Sequence, residues 1–476
     1  MNIYIRRTLF ILFITAFLII TPLTILYAAG YKVKIGWPPD FKQTLTKTGM
    51  FVFDTTPSGA KIFIDGEPSQ LFFKKFYDES DSYIATPAKI KNILPGEYNV
   101  KMELPGYWPW EKKLTIEPGT STYAEDIYLF KKNTPLLVAN IIPESTNSSR
   151  MPVRKIVQSP NKKLFFILDE EKILIHNSEK GTSDSIPLSS LKRSIKANSE
   201  IIWSDNNEKI LADKIIFNLR DLSKIIYLED FITSGSENLT WNKDNSNEIY
   251  YRTDNSINSF NLASNRLTVL ASGENYLSYQ VEDSNLIFIS LLNKTIKLKW
   301  LSLESKKISR ELELPYSSDY KLINANHALI NVYDYNHKIL YLIDPALTIN
   351  PIKEIINNIK YTSWVNDNKL LYANDFEIWL LEIDNAGPIA RIGKKILTRI
   401  SQPITSVLWH PNNNYLFFST DKSLNVIEMD EREKRNVLEL IKLDQIYSPY
   451  LDQKGEVIYL GATIDNQEGL YKLEIQ

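Results

Sequence analysis

The apolar and polar positions of this chain return in one repeated phrase. Ile202-Trp203-Ser204-Asp205-Asn206-Asn207-Glu208-Lys209-Ile210-Leu211 comes back as Thr240-Trp241-Asn242-Lys243-Asp244-Asn245, as Ser363-Trp364-Val365-Asn366-Asp367-Asn368-Lys369-Leu370-Leu371-Tyr372, and as Leu408-Trp409-His410-Pro411-Asn412-Asn413-Asn414-Tyr415-Leu416-Phe417-Phe418. Each copy reads as an apolar strand closing on an aromatic residue, an Asn/Asp-rich turn, and a second apolar strand. Placed on the end of the first strand, the units fall at Gln158, Trp203, Trp241, Tyr279, Asn324, Trp364, Trp409 and Tyr450, with steps of 38 to 45 residues. Further strands are legible inside a unit, as in Glu248-Ile249-Tyr250-Tyr251, Ile257 to Leu262 and Arg266 to Leu270. Such a sheet buries both faces only between neighbours, so the units must close into a ring or stack, and the length of each unit, that of a four-stranded blade, points to the ring, a β-propeller.

The last unit, from Ile446 to Gln476, holds only about three strands. An isolated apolar run, Leu136 to Ile142, lies upstream of the first unit and is expected to supply the fourth, joining the two ends of the ring. Eight blades fit the spacing best; seven, with one unit misphased, is the alternative.

The amino terminus carries a different pattern. No charge falls between Arg7 and Lys32, and Thr8 to Tyr27 is dominated by Leu, Ile and Phe, the length and polarity of a membrane-crossing helix. A span over 8–28 is expected, with Pro22 tolerated inside it. The rival is a cleaved signal peptide with Ala28 and Ala29 at the cut, but the apolar run exceeds the usual length of such a leader. Arg6 and Arg7 place residues 1–7 in the cytoplasm and everything beyond the span outside the membrane; Lys32 and Lys34 on the far side pull the other way.

After a linker over 29–48, residues 49–131 alternate like a small all-β domain. Met50-Phe51-Val52-Phe53 precedes the turn Pro57-Ser58-Gly59, Lys61-Ile62-Phe63-Ile64 precedes the hairpin turn Asp65-Gly66, and Tyr98, Val100, Met102 and Leu104 alternate with Asn99, Lys101 and Glu103. Thr56-Pro57-Ser58-Gly59-Ala60, Ile64-Asp65-Gly66, Thr86-Pro87, the motif Pro95-Gly96-Glu97-Tyr98, Gly106-Tyr107 and Pro118-Gly119 together resemble a PEGA domain. That resemblance implies a β-sandwich-like module of surface proteins, with binding or structural roles and no catalytic residues. An insertion adds Phe72, Phe73, Phe76 and Tyr77, which would either touch a partner or a membrane, or pack on the ring. A second linker, 132–152, contains the ring-closing strand, and the ring occupies 153–476.

Composition narrows the function. The 476 residues are 43% hydrophobic with a net charge of −2, so no basic face argues for nucleic acid. Cysteine is absent, and His176, His327, His337 and His410 are scattered, which leaves no expected metal or other cofactor. Neither a Ser-His nucleophile motif, a metalloprotease motif nor a nucleotide loop is present. The recurring tryptophans are expected to pack between blades and the Asn/Asp clusters to make turns. Asp169-Glu170-Glu171 and Asp430-Glu431-Arg432-Glu433 are expected at solvated hairpin tips, and His410 in a turn.

The repeats resemble WD40-like and Tol-type propellers without the Gly-His and Trp-Asp pairs of true WD40. The whole layout resembles bacterial membrane-anchored PEGA-domain proteins with propeller-like carboxyl-terminal regions. The expected function is therefore non-catalytic: a single-pass envelope protein that holds a protein, peptide or wall polymer. A propeller enzyme acting on glycans and a purely structural spacer are the competing readings.

Overall fold

A computed structural model describes residues 3–33, 45–70, 83–140, 155–196, 199–282, 284–323, 329–384 and 391–476. Phe72, Phe73, Phe76 and Tyr77 of the insertion, and Asn324 and His327, lie outside the described residues.

Ile3–Ala28 forms one helix with no buried residue, starting five positions before the expected Thr8 and taking in Arg6 and Arg7. It is long and apolar enough to cross a membrane. The hydroxyls of Thr8, Thr15 and Thr24 donate to the carbonyls of Tyr4, Ile11 and Ile20, so the helix satisfies its own polar groups.

The small domain is a sandwich of two sheets. Lys61–Ile64 is flanked by Glu67–Pro68 and Gly96–Glu103, with Trp110–Ile116 outermost. In the facing sheet, Gly49–Thr56 lies between Ala88–Ile93, antiparallel, and Ser121–Tyr128, parallel. Phe51, Phe53, Ile62, Val100, Met102, Leu114 and Ile116 close the core between the sheets. Asp65 and Gly66 adopt φ of 51° and 81°, the left-handed pair that a two-residue hairpin requires. Within 29–48, read as linker from sequence, Tyr31–Val33 pairs with Leu45–Lys47.

Residues 155–442 form seven four-stranded antiparallel sheets in sequence order, 155–187, 201–227, 237–272, 275–314, 320–357, 361–399 and 406–442, called blades 1 to 7 here. The eighth takes Gln445–Leu451, Val457–Ile464 and Gln467–Glu474 from the end of the chain. Its outermost strand is Leu136–Asn140, paired antiparallel with Gln467–Glu474.

The strands show why the sequence reads as continuous apolar runs rather than strict alternation. In Leu164–Leu168, Phe165 and Ile167 pack toward blade 8, while Phe166 and Leu168 pack toward blade 2. Tyr415 and Phe417 likewise face blade 8, and Leu416 and Phe418 face blade 6. Each blade shares a buried core with the next, and a core of Ile156, Phe165, Tyr459 and Leu470 joins blade 8 back to blade 1. The ring is thereby closed.

The recurring aromatic position also links inner strands by hydrogen bonds. Trp203 Nε1 donates to Val157 O at 3.3 Å, Trp241 Nε1 to Ile202 O at 3.0 Å, and Tyr279 Oη to Asn238 O at 2.6 Å. Gln158, at the same phase in blade 1, donates to Leu451 O of blade 8 at 3.3 Å. Two copies depart. Trp409 turns onto Asn413 of its own turn, and Trp364 Nε1 is buried without a partner among the described residues. The Asn/Asp residues that follow are turn caps: Asn206, Asn242, Asn366 and Asn412 each accept from the backbone N–H two residues on.

The small domain is not a free bead on the chain, because it packs against blades 7 and 8. Phe130 enters the core between those blades beside Tyr415 and Phe417. Lys112, its side chain fully buried, meets Glu428 at 2.9 Å; Glu428 also accepts from Trp110 Nε1 at 3.0 Å and Asn436 Nδ2 at 2.9 Å. Lys112 reaches Asp430 O at 2.8 Å, Lys113 N–H donates to Glu433, and Arg432 donates to Tyr123 O. The Asp430–Glu433 cluster, expected at a solvated tip, is thus the seat of the small domain. The last residue, Gln476, donates to Thr56 O and Leu129 O.

Two predictions follow from these contacts. Trp241→Phe removes the donor to Ile202 O and should cost about 1 kcal/mol, whereas Trp364→Phe removes an unpaired N–H and should cost less or stabilise, both read from denaturation midpoints. Lys112→Met leaves Glu428 buried without its cation and should cost about 3–5 kcal/mol, and adding Glu428→Gln should recover much of that loss. Equal effects of the two tryptophan changes, or no recovery in the double variant, would contradict the assignments.

Candidate binding face of the ring

A propeller has two unlike faces. The lower face here carries the Asn/Asp turns between first and second strands. The upper face carries the turns between second and third strands and the connections from blade to blade, where loop sequence varies without disturbing the sheets.

On the upper face, blades 5 and 6 enclose a groove of about 780 Å³. Four segments build it: Tyr333 and Lys338 around the second turn of blade 5, 358–360 in the connection to blade 6, 374–377 in the matching turn of blade 6, and 399–401 leading to blade 7. Phe376, 46% exposed, and Tyr333 supply apolar surface, and Tyr335 packs edge-on against Tyr333 at 4.5 Å. Tyr333 is held by its hydroxyl, which donates to Ile359 O at 2.8 Å.

The carboxylates of the groove are committed to ion pairs. Asp375 meets Lys360 at 2.9 Å, and Lys360 also donates to Ile404 O at 3.1 Å. Glu377 accepts from Arg399 Nε at 2.7 Å, Trp379 Nε1 at 3.1 Å and Asn374 Nδ2 at 3.1 Å. The Lys360 hydrogen bond holds Asp375 below the usual carboxylate range; hydrogen bonds from Trp379 and Arg399 do the same for Glu377. Asn374 caps its own turn, accepting from the N–H groups of Phe376 and Glu377 at 2.8 Å each. Lys338 has a positive φ of 55°, makes no ion pair among the described residues, and its charge adds to the lowering of the Asp375 pKa.

The mouth of the central channel on this face is crossed by side chains. Lys321 at the head of blade 5 meets Glu200, at the head of blade 2, at 2.9 Å, and Lys155 donates to Ser199 O at 2.6 Å. Burial lowers the Lys321 pKa, but the Glu200 carboxylate outweighs it and the ammonium is held above its ordinary value. Among the described residues, an ion pair thus links the upper ends of blades 2 and 5.

The residues that sequence singled out have other positions. In the motif Pro95-Gly96-Glu97-Tyr98, Tyr98 packs edge-on against Phe51 at 5.9 Å and donates to Leu94 O, so it builds the small domain's core. Glu97 lies within 3.7 Å of Lys113. Asp169 caps a turn by accepting from Glu171 and Lys172 N–H. His176 is buried against Ser183 at 2.9 Å, and burial lowers its pKa. His410 reaches Gly455 O at 3.0 Å and stacks edge-on with Tyr128 across the domain junction. His337 Nδ1 lies 2.7 Å from Asp334, which also accepts from Ser317. No group of three metal-ligating side chains occurs among the described residues. The groove itself was not foreseen, since its four segments are separated along the chain and only the ring brings them together.

Residues 80–129 match the family model of the PEGA domain. No curated protein matches the chain. Among solved structures, the chain is similar to a eukaryotic initiation factor, at 11% identity and a TM-score of 0.46 over 69% of this chain and 89% of that one. It is similar to the β-propeller domain of Myceliophteria thermophila Cps50 (Swd1), at 11% identity and a TM-score of 0.37 over 70% and 99%. It is also similar to Kuenenia stuttgartiensis hydrazine synthase, at 10% identity and a TM-score of 0.36 over 70% and 98%. These likenesses are of fold and say nothing of activity. The chain is an apolar amino-terminal helix followed by a PEGA domain and a β-propeller.

Proposed function

We propose that this protein is a non-catalytic binding platform, held at a membrane by its amino-terminal helix and presenting the upper face of the propeller to a protein, peptide or wall polymer of a bacterial envelope. The observation that carries the reading is the groove between blades 5 and 6, with its exposed Phe376, its fixed Tyr333 and the Lys338 cation at its rim. Aromatic surface ringed by fixed polar groups is the usual make-up of a recognition site.

The glycan-enzyme reading asks for a carboxylic acid poised to give up a proton, and hence for a raised pKa. Asp375 and Glu377 are both held down by their partners, which favours binding over hydrolysis. The spacer reading gives an exposed Phe376 no task. Arg6 and Arg7 support a cytoplasmic amino terminus with the domains on the far side.

The test is co-sedimentation of the full chain in detergent with purified wall polymer, alongside binding to an immobilised peptide library. Phe376→Ala should weaken binding about tenfold or more, as for an aromatic anchor, and Lys338→Ala should weaken it less. Binding indifferent to both changes would move the site off this groove. Release of soluble sugar fragments that Glu377→Gln abolishes would replace the platform with an enzyme.

A further inference from the structure

The end of the helix is hydrogen-bonded directly to the edge of the small domain. Ala29 N–H donates to Ile25 O and Gly30 N–H to Tyr27 O, so the last helical turn runs directly into Gly30. Gly30 O then accepts from both the N–H and the hydroxyl of Thr48, at 2.7 Å each. Thr48 O in turn accepts from Gly119 N–H at 3.1 Å, in the turn 117–120 of the small domain. The strand pair Tyr31–Val33 and Leu45–Lys47 begins at the same point.

The helix sets the depth of all these groups. The uncharged stretch from Thr8 to Tyr27 rises roughly 29 Å at 1.5 Å per residue, close to the thickness of the hydrocarbon core. Arg6 and Arg7 at one end and the exposed Tyr27 at the other mark the two interfaces of such a span. Gly30 follows Tyr27 by three residues, which is about 10 Å even at full stretch. The headgroup layer therefore meets Gly30, Thr48 and the turn 117–120.

The chemistry of that edge suits it. Lys32 and Lys47 stand on the two strands of the pair, with Lys47 lying over Gly119, and Glu117 is the acid of the adjoining turn. Basic residues just beyond a span are drawn to anionic lipid headgroups at about 1 kcal/mol each.

We propose that the PEGA domain rests on the membrane surface, with the turn 117–120 and the strand pair 31–33/45–47 at headgroup level. The proposal rests on the helix being an uncleaved anchor. Because the domain is also docked on blades 7 and 8, contact with the bilayer fixes the tilt of the whole ring, and with it the direction in which the upper face points.

The absence of cysteine makes the test clean. Glu117→Cys and, on the exposed outer strand of blade 3, Thr268→Cys are each labelled with a nitroxide in the full chain. The chain is reconstituted in vesicles of phosphatidylcholine and phosphatidylglycerol carrying a nickel-chelating lipid. The expected result is flotation with the vesicles, strong relaxation of the label at 117 by headgroup nickel, and none at 268. Lys32→Ser with Lys47→Ser should reduce the relaxation at 117 in phosphatidylglycerol vesicles more than in phosphatidylcholine alone. A chain that floats but shows equal, weak relaxation at both positions overturns the docking while the anchor stands. A chain that fails to float overturns the anchor and the docking together.

Discussion

The structure depends on closing a ring whose every blade is apolar on both faces. A sheet such as Leu164–Leu168 with its neighbours has no solvent side, since Phe165 and Ile167 need blade 8 as much as Phe166 and Leu168 need blade 2. One unpaired end would expose a blade face of Ile, Phe and Tyr to water, at a cost of about 25 cal/mol for each Å². The chain resolves this by borrowing. Leu136–Asn140, which precedes the ring in sequence, becomes the outer strand of the last blade, so the two ends of the propeller hold each other.

That solution constrains everything upstream. The closing strand leaves the small domain only a few residues after Phe130, and Phe130 itself fills the core between blades 7 and 8. The small domain must therefore sit against those blades, and the pairings of Lys112, Lys113 and Trp110 with residues 428–433 convert proximity into a fixed seat. Gln476 ties the far end of the chain to Thr56 and Leu129 of the same domain. PEGA domain and ring are thereby held in one arrangement, so the groove between blades 5 and 6 has a set position relative to the PEGA domain.

Much of this was legible because it is local or periodic. The Trp-turn-strand phrase announced the blades, the short final unit with its orphan strand at Leu136 announced the closure, and Asp65-Gly66 announced a hairpin. What stayed hidden depends on which distant surface a residue meets. The parallel pairing of Gly49–Thr56 with Ser121–Tyr128 leaves no mark in alternation, which reports burial but not the partner strand. Asp430-Glu431-Arg432-Glu433 looks like any charged turn until the small domain lies on it. One signal was present: in Trp110–Ile116 the buried phase reads Trp110, Lys112, Leu114, Ile116, and a lysine in that series requires a buried acid somewhere in the fold. The groove could not be read at all, since Tyr333, Phe376 and Arg399 come together only through blade-to-blade packing.

The central claim, that the ring is closed by a strand from before it, is tested most directly by native-state hydrogen exchange of the full chain. The account predicts that the hydrogen-bonded amides of Leu136–Asn140 are protected to the same degree as those of Gln467–Glu474 and are lost with the global unfolding of the ring. Fast exchange over Leu136–Asn140, with protection retained in Gln467–Glu474, would mean that the segment is an open tether and that the ring is closed by other means.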